Sequence, residues 1–171
     1  HRQCRRQRQM CIRDSLGNLG RLANQMFQYA SLKGIATNRG YSFSIPPKDA
    51  FGSQDELVSQ SDVTIYDVFK NVEKNEIGFQ NNQTLWERMH QFDEELFVNC
   101  PDNVDLVGYF QTEKYFKHIE DDIRKDFSFS TDITETCKEM YDSIIGDKES
   151  ISLHIRRGDY TVNPNHPTQS I

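Results

Sequence analysis

Two adjacent arginines, Arg156 and Arg157, close an alternating run and stand just before Gly158 and Asp159. Ile151, Leu153 and Ile155 alternate with Ser152, His154 and Arg156, which is the period of a β-strand. His154 and Arg156 then share one face, and Arg157 takes the other. Paired guanidinium groups at the carboxyl end of a buried strand are costly unless an anion meets them. Ligands of α/β proteins bind beyond such strand ends, and a guanidinium fork gives a phosphate two parallel hydrogen bonds. The same Arg-Arg-Gly-Asp run also suits a solvated turn with a local Arg–Asp pair. An adhesion motif at 157–159 is a poorer reading, because the triplet abuts an apolar strand.

A second segment, Gly17-Asn18-Leu19-Gly20-Arg21-Leu22-Ala23-Asn24-Gln25-Met26-Phe27-Gln28-Tyr29-Ala30, could also receive an anion. Its glycines mark a tight turn. A helix follows, with Leu22, Met26, Tyr29 and Ala30 on one stripe, and ends at Asn38-Arg39-Gly40, a sequence suited to a left-handed cap. Tyr41, Phe43 and Ile45 then alternate with serines until Pro46-Pro47 stops the strand. Turn, helix, cap and strand in this order form part of a βαβ unit. The helix N-terminus offers N–H groups to an anion, and Asn24 and Gln25 add side-chain amides. No Gly-Lys-Ser/Thr follows, so the turn is not a Walker loop. Alone, the segment also suits an ordinary Gly-rich turn.

The chain alternates strands and helices. Val104 to Phe110 reads as a strand. Thr112 is placed to cap a helix carrying Phe116, Ile119, Ile123 and Phe127 at helical spacing. Another helix is expected from Ile133, with Cys137, Met140, Tyr141 and Ile144 on one side, ending at Gly146; the strand from Ile151 follows. Residues 51 to 83 read as irregular with a short strand or helix, and 85 to 97 as ambiguous. The order indicates an α/β fold with a largely parallel sheet.

Taken together, Gly20-Arg21-Leu22-x-Asn24-Gln25-Met26-Phe27-Gln28-Tyr29-Ala30 and His154-x-Arg156-Arg157-Gly158-Asp159-Tyr160 resemble the α1,2-fucosyltransferases of the bacterial, viral and invertebrate type. Between them, Gly108-Tyr109-Phe110-Gln111-Thr112-Glu113-Lys114-Tyr115-Phe116 resembles that family's middle block. The resemblance runs over residues 16 to 171 with the blocks in order.

It implies a two-domain glycosyltransferase of the GT-B type with a Rossmann-like N-terminal domain. The activity implied is that of a galactoside 2-α-L-fucosyltransferase. Fucose would pass from GDP-β-L-fucose to a terminal galactose with inversion, with no bound metal and no cofactor. In related enzymes the arginines of this block hold the donor pyrophosphate, a role carried onto Arg156 and Arg157. Arg156 is the expected catalytic residue. His154 and Asp159 are expected to support the donor site, and Gly20, Asn24 and Gln25 to line the cleft opposite. The family usually has glycine where this chain has Ala23; a positive φ there would cost about 1 kcal/mol with alanine.

The implied organisation has three parts. Residues 1–14 hold five arginines and one acid. They resemble a non-native, adaptor-like leader that has displaced the family's first strand. Residues 15–148 would form the acceptor-side domain. Residues 149–171 would open the donor-binding domain, with the guanine contacts in a missing remainder, so the chain alone is expected to be inactive.

Composition narrows the alternatives. The formal net charge of −6 and pI near 5.4 disfavour nucleic acid as a partner. No apolar run has the length of a membrane span and no secretory signal is visible, which suggests a cytoplasmic protein. Cys100 and Cys137 sit in no Cys-x-x-Cys pair, so no zinc site is expected. No Asp-x-Asp occurs, in keeping with a metal-free sugar transferase. His90 and His118 read as surface or packing residues, and Glu120-Asp121-Asp122 as a solvated face. The rival readings are a non-catalytic phosphate- or carbohydrate-binding α/β domain and another phosphate-handling enzyme such as a kinase.

Overall fold

The structure, a computed structural model, describes residues 9–11, 16, 19–48, 63–73, 83–146 and 148–153. The chain falls into two compact units, His1–Ile133 and Thr134–Ile171. The expected boundary at 148–149 lies inside the second unit.

The first unit is α/β. Four strands, β1 (Gln9–Cys11), β2 (Ser42–Ser44), β3 (Gln83–Trp86) and β4 (Val104–Val107), form one sheet in the order β2-β1-β4-β3. All pairings are parallel, with Met10 opposite Phe43, Cys11 opposite Asp105 and Trp86 opposite Val107. β1, which falls within residues 1–14, occupies an inner position. All four residues of β4 are buried, as in a parallel strand covered on both faces.

α1 (Leu22–Arg39) is the long helix of this unit. Tyr29, Leu32, Ile35 and Ala36 bury its core-facing side, and Leu22 and Met26 pack against the same core. Gly40 ends it at φ +67°, ψ +33°, the left-handed cap expected from the sequence. The last turn is tied to α3 (Glu94–Asn99). There Asn38 donates to the Phe97 carbonyl at 2.9 Å, and Arg39 donates to those of Val98 and Cys100 at 2.6 and 3.2 Å. Phe43 and Ile45 are buried after the cap.

The single helix expected after Thr112 is broken. Thr112 caps a 3₁₀ turn, Glu113–Tyr115; a second, Lys117–Ile119, leads into α4 (Glu120–Asp126). The break sends consecutive rings to different partners. Tyr115 packs among Phe92, Phe97 and Phe110, while Phe116 meets Phe27 of α1. α2 (Ile65–Val68) is one short turn held by a capping box between Thr64 and Asp67. The hydrogen bond from Lys48, with those from Thr64, draws the Asp67 carboxyl down to about 2.

α5 (Thr131–Ile144) begins in the first unit and continues in the second. It exposes Met140, Tyr141 and Ile144, and Gly146 donates to the Tyr141 carbonyl beyond its end. The strand expected from Ile151 does not begin there: residues 151–153 pair with no strand, and Ile151 is 98% exposed. A strand needs a neighbour to satisfy its backbone groups, and none among the described residues supplies them. No helix among the described residues is long and apolar enough to cross a membrane.

Candidate functional site

Because all four strands run parallel, the segments leaving β3 and β4 reach one edge of the sheet. That carboxyl edge is where α/β sheets bind ligands.

Gly20 makes the turn. Its φ is +81°, and a Cβ there would lie 1.8 Å from Asn24 Nδ2, so both backbone and space demand glycine. Arg21 is the N-cap residue of α1 and makes no side-chain cap. Ala23 lies within the helix, outside the positive-φ residues, so the strain expected from alanine does not arise. In a helix alanine is the favoured residue.

Asn24 and Gln25 part company. Asn24 Oδ1 accepts a 2.6 Å hydrogen bond from Gln111 Nε2, which joins the Gly-rich turn to the middle block. Gln25 is buried, and its Oε1 accepts from the Ile65 N–H at 3.0 Å. Its carbonyl therefore secures the start of α2. Gln28, from the same motif, is also fully buried; its Nε2 donates to the Leu19 carbonyl at 3.0 Å and steadies the turn from behind. Its Oε1 has no partner among the described residues.

The middle block is held by Glu87, just past β3. One carboxylate spans two consecutive amides: Oε2 accepts from Tyr109 N at 2.8 Å and Oε1 from Phe110 N at 3.1 Å. Gly108 lets the chains approach, because a Cβ there would lie 2.4 Å from Glu87 Cβ. Phe110 is buried at φ +50°, and its carbonyl accepts from Ser31 Oγ of α1 at 3.1 Å. The turn is thus fixed from both sides before it delivers Gln111 to Asn24.

Sequence reading missed Glu87, Gln111, Gln28 and Ser31. Gln111 and Gln28 lie inside quoted motifs and could have been raised; Glu87 and Ser31 carry no local signal. His154, Arg156, Arg157 and Asp159 lie outside the described residues.

Two further polar clusters are tied together by side-chain bonds. The Tyr29 hydroxyl donates to Asp126 at 2.9 Å, and Lys33 donates to Asp126 at 2.6 Å and Glu73 at 2.8 Å. Burial pushes the Tyr29 phenol far above its ordinary value. Burial opposes the Lys33 charge, but its bonds to Asp126 and Glu73 outweigh that and raise its pKa. Asp93, nearly fully buried, caps α3 through Leu96 N and takes two 2.7 Å bonds from Arg88. The Arg88 guanidinium, more than burial opposes, holds the Asp93 carboxyl below the usual range.

A groove of about 500 Å³ lies between α1 and residues 113–127, floored by Met26, Phe27, Phe116 and Ile123. On its rim, Glu120 pairs with Lys117 at 3.0 Å and with Arg124 at 2.7 Å. With Glu113 also 3.9 Å from Lys117, the two cations already face two carboxylates, which suits a diphosphate poorly. Burial pushes the Cys100 thiol up to about 11, and neither Cys100 nor Cys137 is disulfide-bonded. No cluster of metal-ligating side chains occurs among the described residues.

Comparison with known proteins supplies the context for these contacts. Residues 14–170 match the model of glycosyl transferase family 11. Galactoside alpha-(1,2)-fucosyltransferase 2 of Sus scrofa is 27% identical over 159 residues, 88% of this chain and 43% of its own length. Its Bos taurus counterpart is 26% identical over the same shares. Alpha-1,2-colitosyltransferase of Escherichia coli is 33% identical over 73 residues, 43% of this chain and 24% of its own length. The chain thus spans about two-fifths of the length of the mammalian relatives it matches. No solved structure matches. With the family match covering nearly its whole length, and the first and middle blocks joined at the carboxyl edge of a parallel sheet, the chain belongs to glycosyl transferase family 11.

Proposed function

We propose that this chain forms part of a galactoside 2-α-L-fucosyltransferase of the GT-B type, and that the described sheet belongs to its Rossmann-like acceptor-side domain. The acceptor is a galactose-terminated glycan and the donor GDP-β-L-fucose. The galactose 2-hydroxyl attacks the anomeric carbon of fucose from the face opposite the diphosphate. The carbon–oxygen bond to phosphate breaks, GDP departs with the electron pair, the hydroxyl proton is released, and the anomeric centre inverts.

The observation that carries the reading is the pig relative, named for α-(1,2)-fucosyl transfer to galactosides, aligned along 88% of the chain. The colitosyltransferase supports the same α1,2 linkage with another sugar. In this reading Arg156 and Arg157 hold the donor pyrophosphate, and His154 and Asp159 support them. Arg156 meets the charge that builds on the departing phosphate, usually the largest catalytic term. Gly20 and Asn24 line the cleft opposite, while Gln25 acts from behind by fixing α2. The absence of Asp-x-Asp from the sequence supports a reaction without a metal.

The donor sugar has a second reading, because the E. coli relative is named for colitose. The test offers a full-length enzyme carrying this sequence both nucleotide sugars in competition over a β-galactoside. Preferential fucosylation at O2 is expected. Colitose transfer in preference replaces the donor, and transfer of neither overturns the proposal.

A further inference from the structure

Trp86 is the single tryptophan of the sequence. It ends β3 opposite the buried Val107, yet it is 67% exposed. Beside it opens a depression of about 230 Å³, lined by Leu85, Trp86, Arg88, Glu95, Leu96 and Asn99 among others. Trp86 and the two leucines give it an apolar floor, and Arg88, Glu95 and Asn99 a polar rim. The rim is set in advance: Arg88 is held by Asp93 at 2.7 Å through each of two nitrogens and by Glu95 at 3.0 Å.

A pyranose ring has the same division, with apolar C–H faces and hydroxyl edges. Its face covers an indole, and its hydroxyls bond guanidinium, carboxylate and amide groups. The depression is smaller than the roughly 300–1,000 Å³ of a drug-sized site, and suits about one ring. Two of its lining residues, Trp86 and Arg88, flank Glu87 in sequence. Trp86 immediately precedes Glu87, whose carboxylate fixes the turn that brings Gln111 to Asn24.

We infer that this depression is a glycan subsite, holding a sugar ring of the acceptor beyond the terminal ring that receives the transferred sugar. The inference rests on the glycosyl-transfer reading and adds a determinant of acceptor length. Trp86 supplies the stacking face; Arg88, Glu95 and Asn99 bond the hydroxyls.

The lone tryptophan makes the test direct. The chain is titrated with a galactose-terminated tetrasaccharide and, separately, with methyl β-galactoside, following tryptophan emission and binding heat together. The tetrasaccharide is expected to give a saturable blue shift, with methyl β-galactoside binding far more weakly. Trp86→Ala should weaken calorimetric binding of the tetrasaccharide about tenfold or more, the cost typical of a tryptophan anchor. Asn99→Ala, an exposed change, should weaken it less while leaving the emission of the free chain unaltered. Tetrasaccharide binding with unchanged emission and no effect of Trp86→Ala overturns the subsite. So does equal response to both sugars, or no tetrasaccharide binding at all. The competition over donor sugars reads the transfer reaction separately, so the two ideas fail independently.

Discussion

Gln111 donates from its side-chain amide to Asn24 Oδ1 across 2.6 Å, joining segments 87 residues apart in sequence. Asn24 lies in the first turn of α1, just after the Gly-rich turn, and Gln111 in the block after β4. Each side of this contact is supported by groups that leave little freedom, and that support gives the first two predictions.

Gly20→Ala should destabilise the chain. Positive φ alone costs alanine about 1 kcal/mol, and the added methyl would drive into Asn24 at 1.8 Å. Adding Asn24→Ala removes the amide but leaves the Asn24 Cβ 2.8 Å from the added methyl and gives up the Gln111 bond, so the double variant should stay destabilised by more than the about 1 kcal/mol of the positive φ. Urea unfolding of the single and double variants checks both values. A Gly20→Ala variant as stable as the parent chain would contradict the turn geometry.

Glu87→Gln replaces one acceptor oxygen by an amide nitrogen that faces a backbone N–H. With one of the two bonds exposed and the other half-buried, the loss should be about 0.5–1.5 kcal/mol. Amide exchange at Tyr109 and Phe110 should accelerate in the same variant, while exchange along α1 is unchanged. Uniform acceleration would mean that Glu87 supports the whole fold rather than this turn.

The Lys33–Asp126 pair is largely withdrawn from water, with side chains 13% and 10% exposed. Asp126→Ala leaves Lys33 with Glu73 as its remaining carboxylate and should cost about 3 kcal/mol. Tyr29→Phe removes a single hydroxyl from the same cluster and should cost about 1 kcal/mol. Chemical denaturation ranks the two, and the reverse order would refute this account of the cluster.

Much of this was legible in the sequence because it is local. The stripe Leu22, Met26, Tyr29, Ala30 and the stop at Gly40 define α1, and Phe43 and Ile45 mark the next strand. The three motif blocks were enough for the family. What escaped depends on tertiary contact. Glu87 clamps a turn across a strand pair and has no motif of its own. Gln25 looked like a cleft amide, but its carbonyl is taken by Ile65. Residues 9–11 pair as a strand through their backbone, which no side-chain pattern announces. The helix expected after Thr112 broke because Tyr115 and Phe116 bury on different sides, which a helical count cannot foresee.

Asp93 gives a pH signature. Its carboxyl is held below the usual range, chiefly by Arg88. A depressed folded pKa adds stability above the unfolded value, about 3.9, and that stability is lost as pH falls through the folded pKa. Asp93→Asn retains a capping oxygen but loses the charge, so its deficit should be constant at neutral pH and shrink below about pH 4. Denaturation midpoints of the two proteins from pH 7 to pH 3 test this; a deficit that persists unchanged at pH 3 contradicts it.

The most direct measurement is fucose transfer from GDP-fucose to a β-galactoside by a full-length enzyme carrying this sequence, in EDTA, with the product linkage determined. The account predicts an α1,2 product, formed despite the chelator. It also predicts a loss of about a hundredfold in rate for Arg156→Ala, the scale of a lost transition-state donor. Absence of transfer, a product of another linkage, or near-full activity of Arg156→Ala would contradict it.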